Sequence, residues 1–162
     1  TQGMRLLIEN PEQYQALVDD RSLVEDAIEE FLRYNPAVIA FRRTAMTDLE
    51  LGGKQIRKGD RIQMYYAAAS ADEDVFSDPE TFDITRNRRE DVRNEHRAFG
   101  IGQHFCLGSH LARLELRVIF EEVLRRIRNP RLDGDINWLR SNFINGIKAM
   151  PIRFDVVEAQ GD

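Results

Sequence analysis

Apolar residues recur at helical spacing in a central stretch of the chain, "SLVEDAIEEFLRYNP", which begins at Ser22. Its hydrophobic positions fall on one face of a single predicted helix: Val24, Ala27, Ile28, Phe31 and Leu32. Ser22 and Glu25 have the spacing of an N-terminal capping box, and Pro36 is placed to end the helix. The pattern therefore predicts an amphipathic helix between these residues.

The same spacing predicts helices at the start of the chain, after Asn10 and over residues 109–128. Asn10 and Gln13 suggest a second capping box, and the Asn-Pro pair at 129–130 is predicted to end the last helix. The predicted apolar face of that last helix consists of Leu111, Leu114, Val118, Ile119, Val123 and Ile127.

Between Ala37 and Tyr66 the pattern changes to short β-rich runs: "AVIAFRRTA", "TDLEL", "KQI" and "RIQMYY". Gly-Gly at 52–53 and Lys-Gly at 58–59 separate them and are typical of hairpin turns. A small antiparallel sheet is therefore predicted. The following residues, 72–91, show little periodicity, and a connection of that length in a compact domain is usually functional. The whole pattern predicts an α+β fold.

Composition narrows the class of protein. Of 162 residues, 42% are hydrophobic and 31% are charged, as in a single globular domain. The apolar runs are too short for a membrane span. The net charge of -5 argues against a nucleic-acid partner, because such a protein needs excess cationic charge. With one cysteine the chain has no internal disulfide, which favours a reducing, cytoplasmic location.

That cysteine, Cys106, lies just before the predicted helix over residues 109–128, where free N–H groups and the helix dipole favour a thiolate. Gly100 and Gly102 allow a sharp turn before the sulfur, and Gly108 allows a flat group to approach closely. The helix start favours a chemical role for the thiol over a buried apolar one, with a cofactor or metal ligand, a nucleophile and a redox switch as the alternatives, and the glycines are suited to one face of a cofactor slot.

A rival interpretation is a small zinc or copper protein. Cys106 and imidazoles from His96, His104 and His110 are of the right chemical type for either metal, but the usual second pair of ligands is missing.

On the predicted helix after Ser22, Glu30 and Arg33 are three residues apart. Taken alone, that pair indicates only a surface ion pair that contributes a few tenths of a kcal/mol.

Three motifs together carry a family resemblance. "FGIGQHFCLGSHLAR" fits F-x-x-G-x-x-x-C-x-G and resembles the haem-binding loop of bacterial cytochrome P-450 monooxygenases. E-x-x-R at Glu30 and Arg33, and then "FSDPETFDITR", precede it in the order found in that family. The resemblance covers nearly the whole chain. It implies that residues 1–162 are the C-terminal portion of one haem-thiolate domain, with helices, small antiparallel sheets and a long cysteine loop.

The resemblance implies that Cys106 is the axial ligand of the iron in heme b, iron protoporphyrin IX. It implies propionate binding by Arg43 and His104, and a buried charge triad of Glu30, Arg33 and Arg86. The remaining residues that it assigns to the haem site are Phe99, Gly100, Ile101, Gly102, Leu107, Gly108 and Ala112.

The implied reaction is insertion of one oxygen atom of O2 into a C–H bond of a hydrophobic small molecule, such as a steroid, a terpenoid or a lipid. Electrons are expected from a ferredoxin and its reductase, and Arg97, Arg113 and Arg117 are candidates for steering an acidic partner or for ordinary ion pairs. The apolar residues expected to line the substrate pocket are Ala37, Val38, Ile39, Phe143 and Ile144.

Two departures accompany the resemblance. The family's dioxygen-activating residues belong to a helix that would precede residue 1, so this portion alone is expected to be inactive. Many relatives have Asn-Arg-Asp where this chain has Ser-Ala-Asp at 70–72, which changes the local hydrogen bonding. A haem-thiolate peroxygenase or dehydratase is the remaining alternative within the same superfamily.

Overall fold

The computed structural model describes residues 1–157. Within them the chain forms six α-helices and eight short β-strands. The helices are α1 (Gln2–Glu9), α2 (Pro11–Asp19), α3 (Val24–Tyr34), α4 (Tyr66–Ala69), α5 (Val92–Glu95) and α6 (Ser109–Arg126). The strands are β1 (Ala40–Thr44), β2 (Leu49–Leu51), β3 (Lys54–Ile56), β4 (Arg61–Tyr65), β5 (Ile127–Leu132), β6 (Asn137–Trp138), β7 (Ile147–Ala149) and β8 (Ile152–Val156).

The hydrophobic core lies where α1, α2, α3 and α6 meet. Leu7, Leu17 and Leu124 are almost completely buried there. The ring of Phe31 on α3 packs against that of Phe120 on α6, with centroids 4.8 Å apart. Burial of these side chains away from water is the main interaction that stabilises the packing of the four helices. The core fixes α3 and α6 relative to each other.

Neither predicted capping box forms its side-chain hydrogen bonds. Asn10 is the N-cap residue of α2 and Pro11 is its first residue, as predicted, but the Asn10 amide donates to the Leu6 carbonyl at 2.8 Å, at the end of α1. Before α3, a short 3₁₀ turn over Arg21–Leu23 replaces the cap, and Asp20 accepts the Ser22 N–H at 2.9 Å. Helix α3 therefore begins at Val24.

The strands pair as four separate two-stranded antiparallel ladders: β1 with β4, β2 with β3, β5 with β8, and β6 with β7. The predicted hairpin at 52–53 is confirmed, since both glycines have positive φ and join β2 to β3. The turn at 58–59 also forms, but it does not make a hairpin because β4 pairs with β1. The expected single sheet is therefore divided in two.

Helix α6 ends at Arg126, two residues earlier than predicted. The chain continues directly into β5, which contains the Asn-Pro pair at 129–130. This strand accommodates the proline because the β5–β8 ladder is irregular between Arg128 and Arg131. Asn129 has a φ of 51°, which marks the same irregularity.

The predicted apolar face of α6 is only partly covered by the described residues. Leu111 and Ile119 are 59% and 54% exposed, whereas Phe120 and Leu124 are buried. The helix turns the side of Phe120 and Leu124 toward α3 and leaves most of the predicted face outward. Helical spacing alone identifies apolar positions but does not show which side the neighbouring helices occupy.

The α+β prediction is confirmed by this arrangement of helices and small antiparallel ladders. Among residues 1–157, no helix is long and apolar enough to cross a membrane. The long segment between α4 and α5 has little regular structure, as its sequence indicates. It passes beside the buried face of α3 and leads to the cysteine.

Truncation of Leu124 to alanine tests the position of the core. The side chain is completely buried, so Leu124→Ala is expected to lower the free energy of unfolding by about 2–5 kcal/mol. Leu51→Ala, at the exposed β2–β3 hairpin, is the matched control and is expected to change it by less than about 0.5 kcal/mol. Urea denaturation measures both values, and equal losses would contradict the assigned core.

Candidate functional site

The cysteine loop, residues 97–108, joins the segment after α5 to the start of α6. The Cys106 N–H donates to the Phe99 carbonyl at 3.0 Å and closes the loop. Gly100 and Gly102 have φ values of 74° and 73°, so each makes a turn that other residues rarely adopt. The short 3₁₀ turn of Gly102–His104 completes the bend before the sulfur.

Cys106 lies just before the N-terminal end of α6 and is exposed, so none of the described residues buries its thiol. Apolar side chains of the same loop are unusually exposed: Leu107 is 99% exposed, Ile101 69% and Phe105 49%. Among the described residues, no hydrogen bond joins the sulfur to an acid or a base, so no partner for nucleophilic catalysis is present there. An exposed thiol among exposed apolar groups is suited to an apolar ligand.

Other residues predicted for this site lie close to the sulfur in the chain. Gly108 is the N-cap of α6, and the Ala112 N–H donates to its carbonyl at 2.9 Å. The histidines do not converge on Cys106: His96 is buried beside α3, and His110 is exposed on α6. Within residues 1–157, no group of three or more histidine, cysteine or acidic residues is placed to hold a metal ion. The geometry gives the zinc or copper interpretation no support.

A buried ion network joins α3 to the long segment before the cysteine loop. Arg33 donates two hydrogen bonds to the Glu30 carboxylate, at 2.7 and 2.8 Å. Arg86 approaches the same carboxylate at 3.4 Å and also pairs with Glu90 at 3.3 Å. All three predicted triad residues are at most 2% exposed, so the structure brings them together. This burial replaces the surface ion pair suggested by Glu30 and Arg33 alone.

The two guanidinium groups also satisfy the backbone of the irregular segment. Arg33 donates to the carbonyls of Ser70 and Pro79, at 2.9 and 3.0 Å. Arg86 donates to the carbonyls of Asp78 and Thr81, at 3.0 and 2.8 Å. Because this segment lacks a regular ladder, these charge-assisted bonds supply the partners that its buried carbonyls need.

Ser70 connects this network to the cysteine loop. Its side chain is completely buried, its carbonyl binds Arg33, and its hydroxyl accepts the Arg97 N–H at 3.1 Å. Arg97 is the first residue of the loop. Ser70, the first residue of the Ser-Ala-Asp departure, therefore has defined hydrogen-bond partners in this chain.

A second buried cluster, which the sequence did not identify, consists of Glu29, His96 and Arg113 and is called the Glu29 cluster below. Arg113 donates to both carboxylate oxygens of Glu29, at 2.7 and 3.0 Å. His96 Nε2 lies 3.1 Å from the same carboxylate, and Arg93 approaches it at 3.5 Å. The only sequence signal was the pair of adjacent acids at positions 29 and 30 in an otherwise apolar region of α3.

Burial raises the pKa of the Glu29 carboxyl, but the hydrogen bonds from His96 and Arg113 outweigh it and hold the pKa below its ordinary value. The carboxylate is therefore ionised in the folded protein near neutral pH. Its contribution to stability is complete above the unfolded-state pKa and is lost as the pH falls through the lower folded-state value.

On the side of the loop near β4, a cavity of about 460 Å³ brings Arg43 and His104 together. The other residues that line it are Met64, Tyr65, Tyr66, Ala69, Arg97, Gly100 and Ile101. No carboxylate is among these lining residues. The cavity therefore combines apolar and aromatic walls with cationic or hydrogen-bonding groups, as an amphiphilic anion requires.

The predicted pocket residues lie on two adjoining segments. The Ile39 N–H donates to the Phe143 carbonyl at 2.9 Å, and Val38 and Ile144 form an antiparallel bridge. The Asn145 N–H donates to the Ala37 carbonyl at 2.8 Å. The structure thus places Ala37–Ile39 beside 143–145, and the Phe143 ring packs against that of Phe41 at 5.3 Å.

The three arginines considered for partner steering are all engaged within the chain. Arg113 binds Glu29, Arg117 lies 3.2 Å from Glu25, and Arg97 lies 3.1 Å from Glu95. The geometry therefore favours the ion-pair alternative for these arginines over a free cationic surface.

A family model described as "Cytochrome P450" matches residues 7–133 of the chain. The chain belongs to the cytochrome P450 family. The match includes α3 with its Glu30 network, the irregular segment and the whole cysteine loop. The resemblance predicted from the three motifs is confirmed, and membership of the family implies a haem cofactor.

Curated proteins that resemble the chain are P450 monooxygenases with 40–42% sequence identity. This P450 chain is 40% identical to linalool 8-monooxygenase of Pseudomonas putida over 146 residues, which are 90% of the chain and 35% of that protein. It is 42% identical to steroid C26-monooxygenase of Mycolicibacterium smegmatis over 154 residues, 94% of the chain and 37% of that protein. The chain thus spans about a third of the length of these relatives.

The fold matches as well. Cytochrome P450-153 from Novosphingobium aromaticivorans superposes with a TM-score of 0.89 and 35% sequence identity, over 95% of this chain and 38% of that one. The arrangement of helices and small antiparallel ladders is therefore part of the P450 fold.

Gly108 tests whether the site fits a haem. Its φ of -81° is accessible to any residue, so its backbone conformation does not require glycine. A Cβ built there would meet only the Cys106 sulfur, at 3.9 Å, and would otherwise enter the open space beside it. The space beside the sulfur is therefore open to a flat group, and the exposed apolar residues of the same loop are of the type that would contact a porphyrin. The residues present fit the cofactor.

Removal of the charge on Glu30 tests the buried network. Glu30→Gln leaves Arg33 and Arg86 buried with too little negative charge, so we expect the free energy of unfolding to fall by about 3–5 kcal/mol. Glu30→Ala is expected to abolish haem incorporation, measured as the ratio of haem to purified protein.

Glu25→Gln is the matched control for this prediction. Glu25 is also on α3, but its pair with Arg117 is exposed, so its loss is expected to change stability by less than about 1 kcal/mol. Normal haem content in Glu30→Ala would show that the network does not support the cysteine loop.

Proposed function

We propose that this chain supplies the haem-thiolate portion of a monooxygenase that inserts one oxygen atom of O2 into a C–H bond of a hydrophobic small molecule. The observation that carries the proposal is an exposed Cys106 at the start of α6, surrounded by exposed apolar residues in a loop anchored to buried ion networks. When bound through this thiolate, heme b supplies oxygen activation, because electron donation by the sulfur favours O–O cleavage.

The chain contributes the axial ligand and its electrostatic setting. Helix α6 runs from Ser109 to Arg126, long enough for its dipole to stabilise negative charge on the sulfur at its N-terminal end. Arg43 and His104, which line one cavity, are proposed to bind the propionates by charge and hydrogen bonding. Phe99, Gly100, Ile101, Gly102, Leu107, Gly108 and Ala112 are proposed to shape the remaining haem contact.

A hydrophobic substrate is proposed from the segments Ala37–Ile39 and 143–145. Val38, Ile39 and Ile144 are half-buried and Phe143 is 44% exposed, so the paired segments present apolar groups to the outside. Two relatives are named as monooxygenases of linalool at position 8 and of a steroid at C26. These names support a terpenoid, steroid or similarly apolar substrate for this P450.

Electrons are proposed to come from a ferredoxin and its reductase, as the sequence resemblance implies. Turnover that depends on the reductase, the ferredoxin and O2 is the expected result. Turnover with peroxide alone, or without any oxidant, would instead indicate the peroxygenase or dehydratase alternative.

Carbon monoxide spectroscopy tests the proposed ligand. The reduced, haem-loaded protein is expected to show a strongly red-shifted Soret band with carbon monoxide, because a Cys106 thiolate would donate electrons strongly to the iron. In Cys106→Ser this band is expected to disappear, since a serine hydroxyl is a far poorer anionic ligand. An unchanged band in Cys106→Ser, or a protein that takes up zinc or copper without porphyrin, would reject the assignment.

Truncation of Phe143 tests the proposed pocket. Phe143→Ala is expected to weaken steroid or terpene binding about tenfold, or ~1.4 kcal/mol, through lost apolar contact, with haem content unchanged. Phe154→Ala is the control, since Phe154 is similarly exposed but lines a different groove beside β8. Substrate-induced shifts of the haem spectrum measure the Kd, and equal effects of the two variants would place the pocket elsewhere.

A further inference from the structure

We propose that the Glu29 cluster is a positioning device for Cys106: one carboxylate holds both ends of the cysteine loop, so that the sulfur stays in place at the start of α6. The role concerns Glu29, His96 and Arg113, none of which belongs to the Glu30 network. The inference rests on the proposed function, in which Cys106 is the haem ligand.

The upstream end of the loop is held through His96. Its Nδ1 accepts the Ala98 N–H at 3.2 Å, which leaves the proton on Nε2 to be donated to Glu29 at 3.1 Å. The next residue, Phe99, accepts the Cys106 N–H through its carbonyl at 3.0 Å. The ring orientation of His96 thus determines the path of the backbone to which Cys106 is bonded.

The downstream end is held through Arg113, one helical turn after Ser109 on α6. Its two-point contact with Glu29 fixes the guanidinium in one plane, at 2.7 and 3.0 Å. That guanidinium also lies over the Phe99 ring, 4.8 Å from the centroid. A single carboxylate on α3 therefore connects the residues before the cysteine to the helix after it.

The described chain holds the loop mainly at its two ends. Residues 101–108 are exposed and 97–100 are half-buried, so the contacts of the loop with the rest of these residues lie at its flanks. Fixing the flanks therefore limits local opening of the loop. The Glu30 network anchors the segment before α5 and touches the loop only through Ser70 and the Arg97 N–H. Glu29 reaches both of its flanks.

Glu29→Gln in the haem-loaded, full-length protein tests the proposal, with Glu25→Gln as the matched control. Glu25 also connects α3 to α6, through Arg117, but its pair is exposed, and Arg117 is one helical turn farther than Arg113 from the loop along α6. Native-state hydrogen exchange is measured at the amides of Phe105 and Cys106 and at core amides of α3. We expect the loop amides of Glu29→Gln to exchange at least about tenfold faster, while the core amides and the control remain unchanged.

A second readout follows the ligand itself. The red-shifted band of the reduced carbon monoxide complex is expected to decay faster in Glu29→Gln than in Glu25→Gln, because a loosely held sulfur leaves the iron. Unchanged loop exchange and an unchanged decay rate would overturn the proposal. Equal acceleration at loop and core amides would also overturn it, since Glu29 would then act on global stability.

If Glu29→Gln does not fold, Arg113→Lys replaces it, because lysine keeps the charge but not the two-point contact. Arg113→Lys is expected to accelerate exchange of the loop amides but not of the core amides, by a smaller factor than Glu29→Gln. Unchanged loop exchange in that variant would overturn the inference. Failure of the proposed function is distinguishable: the wild-type protein would then lack the red-shifted band altogether, whereas the exchange measurement would still report on the cluster.

Discussion

The buried ion network of Glu30, Arg33 and Arg86 is the constraint on which the rest of this site depends. Two arginines and one glutamate lie almost without exposure to water, and Glu90 balances the second positive charge from the edge. Buried charges are tolerated only when each is paired and hydrogen-bonded, so the geometry of the network is closely determined. The network therefore determines the backbone path of the irregular segment between α4 and α5.

This constraint explains how a segment with little secondary structure holds a defined position. The guanidinium groups bind carbonyls of Ser70, Asp78, Pro79 and Thr81, and the Asp83 N–H donates to Glu30 at 3.0 Å. The Ser70 hydroxyl in turn accepts a hydrogen bond from the Arg97 N–H, at the start of the cysteine loop. Neighbouring residues on α3 point about 100° apart, so Glu30 faces this segment while Glu29 faces the two flanks of the cysteine loop. Helix α3 therefore fixes both the irregular segment and the flanks of the cysteine loop.

Sequence reasoning succeeded where a local pattern decides the structure, and it failed where tertiary partners compete. The stripe from Val24 to Leu32 lies in or against the core, and the glycines at 52–53 form their turn, because both signals act over a few residues. Asn10 is the N-cap residue of α2 as its spacing predicts, but its side chain binds the Leu6 carbonyl at the end of α1 and not the first turn of α2. Helix α6 ended early because β5 pairs with β8, residues distant in sequence.

Membership of the P450 family was predictable because the cysteine motif is long and its companions occur in order. The partners of Glu29 were not predictable, since His96 and Arg113 are distant from it in the chain and each has an ordinary surface interpretation.

The most direct measurement of the central claim, that Cys106 is the haem ligand, is X-ray absorption at the iron edge of the haem-loaded protein. A sulfur atom bound to the iron, absent in Cys106→Ser, is the predicted result; an iron with only nitrogen and oxygen ligands in the unaltered protein would contradict it.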